Sequence, residues 1–160
     1  MVLFYQRDFD YLVIKVKNLT IVNNIYHSQI KTNYSIPLYF CPVSAGFPSP
    51  AEEYLERQLD LNQHLIPHPL ATFFVRVSGD SMMGAGIHEG DLLIVDRSLE
   101  ARDGKVVIAV VNGELLVKRL KYDGNQPSLV AEHPDYPELK ITEVMDFQIW
   151  GVVTSVIHSL

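Results

Sequence analysis

Cysteine is almost missing from this 160-residue chain. The lone Cys41 excludes an internal disulfide and gives no cysteine metal cluster; no cofactor or metal is expected. No apolar run reaches the roughly 20 residues that a membrane helix needs. The first thirty residues are broken by Arg7, Asp8, Asp10, Lys15 and Lys17. That is not the basic-then-apolar layout of a secretory signal. No pair of amphipathic helices with a glycine turn between them is found, so sequence-specific DNA binding is not expected. These absences predict a cytoplasmic protein with no membrane contact.

What is present suits one domain with an appendage. A hydrophobic share of 48% can fill a real core. Charge is uneven. Residues 1–45 hold four Lys or Arg against two Asp, a net of +2, and residues 46–160 hold nine bases against seventeen acids, a net of −8. An acidic body is poorly matched to a phosphate backbone. A basic arm on that body favours docking of the arm, although plain solvated charge is the blander reading.

From Thr72 onward the chain reads as β. Candidate strands are Phe73–Val77, Asp91–Asp96, Lys105–Val111, Glu114–Leu120, Ser128–Ala131, Ile141–Val144 and Phe147–Ile157, parted by glycine turns. Asn112-Gly113 between two apolar strands signals a two-residue hairpin. Many short strands predict a mainly β, compact, curled domain with a short helix and an extended N-terminal arm. In that arm Tyr11–Val22 is partly alternating and fits a strand, a flexible arm or an extension that never packs. Residues 35–50 carry four prolines and read as an extended connector. Ser49-Pro50-Ala51-Glu52 has the form of a capping box, opening a helix with Tyr54, Leu55 and Leu59 as its apolar stripe. Asp60 then caps a second short turn ending near Pro67.

The chemistry centres on Ser81, in the glycine-studded turn from Gly79 to Gly90. A serine hydroxyl needs a base to become a nucleophile. His88 with Asp91 or Asp96 gives one arrangement on paper, but His88 sits in the turn and is expected to face water. Lys118 is the better candidate. Alternation in β structure puts Leu116, Lys118 and Leu120 on one face. Burial there would lower the lysine pKa and supply a neutral amine. The commoner alternative is an edge lysine that reaches out to water. The backbone N–H of Ser81, with a neighbour in the turn, is the natural oxyanion donor, and Gly79 and Gly84 give the turn room. Ala45-Gly46, small on both sides of an extended bond, suits a protease cleft, while an ordinary linker is the favoured reading of that segment taken alone. His64 and His68 are four apart, but Pro67 interrupts any helix that would align them on a metal.

Ser78-Gly79-Asp80-Ser81-Met82, Gly90-Asp91-Leu92-Leu93-Ile94-Val95-Asp96, Val117-Lys118-Arg119-Leu120 and Trp150-Gly151-Val152-Val153 resemble the serine–lysine self-cleaving family of LexA and UmuD. Ala45-Gly46-Phe47-Pro48-Ser49-Pro50 resembles the cleavage region of the UmuD branch. Gly46 precedes Ser81 by 35 positions and Lys118 follows it by 37, as in that family. The likeness covers residues 36–160. It implies Ser81 as nucleophile, Lys118 as general base and Ala45-Gly46 as the bond cut. Residues 1–45 are then an arm removed by self-cleavage, and residues 46–160 a β-rich peptidase-like domain. It further implies stimulation by a RecA filament on single-stranded DNA, a homodimer, and a UmuC-type Y-family polymerase as partner in translesion synthesis. Two features depart from the UmuD branch: Ala45 stands where its best-known member has cysteine, and the arm is longer. A LexA-like repressor without a recognisable DNA-binding part is the alternative. A signal-peptidase-like enzyme would call for an anchor, and a non-catalytic β-domain that only binds partners is a further alternative.

Overall fold

The computed structural model describes residues 21–27, 35–39 and 55–160. Ten strands account for most of them: β1 (Ile21–His27), β2 (Ser35–Tyr39), β3 (Leu55–Asp60), β4 (Thr72–Ser78), β5 (Leu92–Asp96), β6 (Val106–Val111), β7 (Glu114–Asp123), β8 (Gln126–Val130), β9 (Leu139–Lys140) and β10 (Phe147–Ile157). The short helix is α1 (Leu61–Leu65), and a single 3-10 turn spans Met83–Ala85. Among the described residues no helix is long and apolar enough to cross a membrane.

Eight strands form one antiparallel sheet in the order β1-β4-β5-β10-β6-β7-β8-β9. β1 also meets β7 at Ile21 opposite Leu116, so the first six strands in that order close into a ring. β8 and β9 extend the sheet beyond it. The curled β-domain expected from the sequence is what the chain builds. Closure removes most of the unpaired strand edge that an open sheet would present.

The hydrophobic pattern explains the closure. Phe73, Val75 and Val77 alternate along β4, and Leu93 and Val95 along β5. They meet Ile108 and Val117 inside the ring, where Met82 and Ile87 from the glycine turn complete the cluster. A second cluster uses the opposite face of β6 and β7: Val107, Ala109, Val111, Leu116 and Leu120, with Leu129, Ile141 and Val152. β6 and β7 are thus covered on both faces, which is why Val106–Val111 is a continuous apolar run rather than an alternating one.

Local signals behave as their chemistry demands. Asn112 and Gly113 both have positive φ, 50° and 84°, the backbone of the tight turn whose twist matches the β6–β7 hairpin. The Asp60 carboxylate accepts from the backbone N–H of Asn62 at 2.8 Å and of Gln63 at 3.4 Å, capping α1.

Three expectations fail. Leu55 and Leu59 belong to β3, not to a helical stripe; β3 pairs with β2, and a short apolar segment takes the conformation its partner offers. Residues 49–54, with the capping box and Tyr54, lie outside the described residues. Ser35–Tyr39 is likewise a ladder strand rather than a connector, with Pro37 opposite Gln58. A two-stranded sheet has only edge strands, where proline can turn its missing donor outward. Finally, Ile141–Val144 is not a strand. Ile141 is buried in the second cluster and its N–H donates to the Pro127 carbonyl at 3.0 Å, but Thr142–Met145 turns and Val144 is 93% exposed. The pairing strand lies just before, at Leu139–Lys140. Of the stretch Tyr11–Val22, only Ile21 and Val22 are described, as the start of β1.

β10 ties the ring together, pairing with β6 along its first half and β5 along its second. Gly151 sits at the register shift of the β10–β6 ladder, which falls between Ile149 and Gly151. A Cβ there would stand 2.8 Å from Val95 Cγ1 and 3.0 Å from the Asp96 carbonyl oxygen. Gly151→Ala is expected to destabilise the fold by about 1–3 kcal/mol through overpacking. Gly113→Ala is expected to cost about 1–2 kcal/mol through left-handed backbone alone. Urea unfolding measures both, and an unchanged midpoint for Gly151→Ala would contradict the close approach.

Candidate active site

Ser81 lies three residues past the end of β4. Gly79, at φ 92°, reverses the chain, and Met82 and Ile87 anchor the far side of the turn in the ring core. Gly86, at φ 72°, closes the 3-10 turn by donating its N–H to the Met83 carbonyl at 2.9 Å. The turn is also held from outside. The Glu132 N–H donates to the Ser81 carbonyl at 2.9 Å, and the Gly84 N–H donates to the Glu132 carbonyl at 2.8 Å. A Cβ on Gly84 would come within 2.6 Å of that carbonyl oxygen. The role of Gly84 is therefore this close approach, and its N–H is committed to Glu132 rather than aimed at a substrate carbonyl. Glu132 is itself fixed by Arg119, whose guanidinium also donates to the Gly104 carbonyl at 2.5 Å.

Lys118 lies in the middle of β7, paired to Val107 of β6. It shares its face with Leu116 and Leu120, as alternation requires, and is itself only 5% exposed. Ser81 is fully buried. The Lys118 Nζ and Ser81 Oγ are hydrogen-bonded to one another. As an ammonium, Nζ donates to Oγ; as a neutral amine, it accepts from the serine O–H. Burial pushes the lysine down to about 8 from its ordinary 10.5, and the nearby Asp80 carboxylate opposes that shift.

Two residues near the pair carry no periodic signal in the sequence. The Tyr136 hydroxyl donates to Asp80 Oδ1 at 2.6 Å, and its ring centre lies 5.5 Å from Lys118 Nζ. That bond holds the Asp80 carboxyl below the usual range and raises the Tyr136 hydroxyl. Tyr136 sits in an irregular loop, so only the fold reveals it. A groove of about 440 Å³ runs beside the pair, with Lys118 and Tyr136 in its lining together with Val111, Leu116, Leu139 and Met145.

The histidine alternatives go elsewhere. His88 faces Asp91 and His158, with ring centroids of the two histidines 5.1 Å apart. The Asp96 carboxylate accepts from Ser98 and is paired with His68 at 2.6 Å. His64 is in α1 and does not share a ligand site with His68 among the described residues. Ala45 and Gly46 lie outside the described residues.

The depressed lysine has a consequence for stability that does not involve catalysis. Between about 8 and 10.5 the unfolded chain keeps a proton that folded Lys118 has lost. Stability contributed by this site therefore rises with pH across that window. Lys118→Met removes the titration while keeping bulk. The unfolding free energy of the wild type minus that of Lys118→Met is expected to rise from pH 8 to 10.5 in denaturant titrations. A flat difference would contradict burial as the cause.

The Peptidase S24-like family matches residues 37–154. Protein MucA of Salmonella typhimurium is 46% identical over 128 residues, covering 79% of this chain and 85% of its own. Protein ImpA of Shigella flexneri is 43% identical over 141 residues, covering 86% of this chain and 96% of its own. The LexA repressor of a Shewanella species is 38% identical over 132 residues, covering 82% of this chain but 63% of its own. The repressor thus has more than a third of its length without a counterpart here, whereas 85% of the first and 96% of the second are covered. The chain belongs to the Peptidase S24-like family of self-cleaving serine peptidases, and within it is a UmuD-like protein of the SOS response.

Proposed function

We propose that this chain cuts itself once, between Ala45 and Gly46, with Ser81 as nucleophile and Lys118 as general base. The observation that carries this reading is the buried hydrogen bond between Ser81 Oγ and Lys118 Nζ, with the lysine lowered to about 8. At pH 7 about a tenth of such a lysine is neutral, against a negligible fraction of an ordinary one. The neutral amine takes the Ser81 proton as Oγ attacks the Ala45 carbonyl carbon. The ammonium so formed gives its proton to the departing Gly46 nitrogen. An ester between Ser81 and Ala45 remains, and water, with Lys118 again as base, releases the carboxylate and restores the serine. Backbone N–H groups of the Ser81 turn stabilise the oxyanion. The apolar groove beside Lys118 suits the proline-flanked segment around the bond, which the sequence reads as an extended connector.

In this reading residues 1–45 are the arm removed and residues 46–160 the domain that acts afterwards. A RecA filament on single-stranded DNA stimulates the cut, and the processed homodimer joins a UmuC-type Y-family polymerase in translesion synthesis in the cytoplasm. The match to MucA and ImpA over 85% and 96% of their lengths, against 63% of the repressor's, supports this over a repressor.

Fragment masses of purified protein test the chemistry. The cut between Ala45 and Gly46 is expected to accelerate about tenfold per pH unit below 8 and to level off above it. Ser81→Ala and Lys118→Ala are each expected to slow it by about 10²-fold or more. Intact mass that persists even with an activated recombinase filament would sink the proposal. A cut that survives Ser81→Ala would sink the assignment of roles.

A further inference from the structure

Away from Ser81, the fold gathers a second cluster of reactive side chains. The β10–β5 ladder pairs Ile157 with Leu92, so the next residues in each direction, His158 and Asp91, come to lie together. His88 joins them through a local turn: the Asp91 N–H donates to the His88 carbonyl at 3.2 Å, and the His88 N–H donates to Asp91 Oδ2 at 2.8 Å. One ligand atom from each of His88, Asp91 and His158 lies within 4.8 Å of the others.

We infer that His88, Asp91 and His158 form a binding site for a divalent transition-metal ion of the zinc class. Three observations carry this. The donor set is two imidazoles and one carboxylate, which suits zinc with one or more positions left to water and is too rich in nitrogen for magnesium or calcium. His88 Nδ1 is buried and has no hydrogen-bond partner among the described residues, although it lies only 3.7 Å from Asp91 Oδ2. Zinc bonds of about 2.0–2.1 Å put neighbouring ligands about 3.3–3.5 Å apart, close to that separation. The Asp91 side chain is 2% exposed and already oriented by the His88 N–H, the kind of support that fixes a metal-binding carboxylate.

His158 completes the set. Its Nδ1 pairs with Asp91 Oδ1 at 2.6 Å, a contact the ion would replace. The His158 side chain is 49% exposed, so its ring has room to make the exchange. The bound ion would join the turn that begins at Ser81 to the end of β10. It takes no part in the peptide cut.

Isothermal titration of the untagged full-length protein with zinc chloride tests the site. One ion per chain is expected to bind saturably, and cobalt(II) in its place is expected to give the visible bands of nitrogen–oxygen ligation. His88→Ala and His158→Ala should each weaken zinc binding by about tenfold or more, while His64→Ala leaves it unchanged. Circular dichroism of the metal-free variants checks that they are folded; a His88→Ala protein that fails is replaced by His88→Gln. Absence of saturable binding, or binding that survives both His88 and His158 substitutions, overturns the inference.

Discussion

Everything near Ser81 depends on keeping one amine out of water. Lys118 is on a strand with ladders on both sides and apolar neighbours two residues away in each direction. Desolvation disfavours its ammonium, and Asp80 limits how far that goes. Asp80 is partly occupied by Tyr136. The lysine therefore sits where it can both accept and return a proton near neutrality, which neither a solvated lysine nor a fully isolated one would do.

This arrangement is bought by the packing of β7. A strand buried on both faces normally carries no charge at all. Here Val117 fills the ring, Leu116 and Leu120 fill the second cluster, and Lys118 lies between those leucines on their face, bonded to Ser81. The turn bearing Ser81 is held with matching rigidity by Met82 and Ile87 on the inside and Glu132 on the outside.

Much of this was legible in the sequence, and the reasons are local. Alternation alone put Lys118 between two leucines. Asn112-Gly113 declared a hairpin because few other residues tolerate two successive positive φ values. Asp60 declared a cap because its carboxylate reaches only the next turn's amides. What stayed hidden depends on partners far along the chain. β2 and β3 form because they find each other, against the proline and helix signals each carries. The apolar Ile141 fills a core position without extending a strand. Gly84 answers to Glu132, Asp80 to Tyr136 and Asp91 to His158, and no spacing rule links those pairs.

The clamping of the Ser81 turn bears on control. Ser81 cannot retreat without breaking the two backbone bonds to Glu132, and Lys118 cannot retreat without disturbing the ladder to β6. The Ser81–Lys118 contact is thus already in place in the folded domain described here. Under the reading proposed above, timing cannot come from building the site on demand. It must come from presentation of the scissile segment, so a stimulating partner acts as a usher of peptide rather than a switch on chemistry.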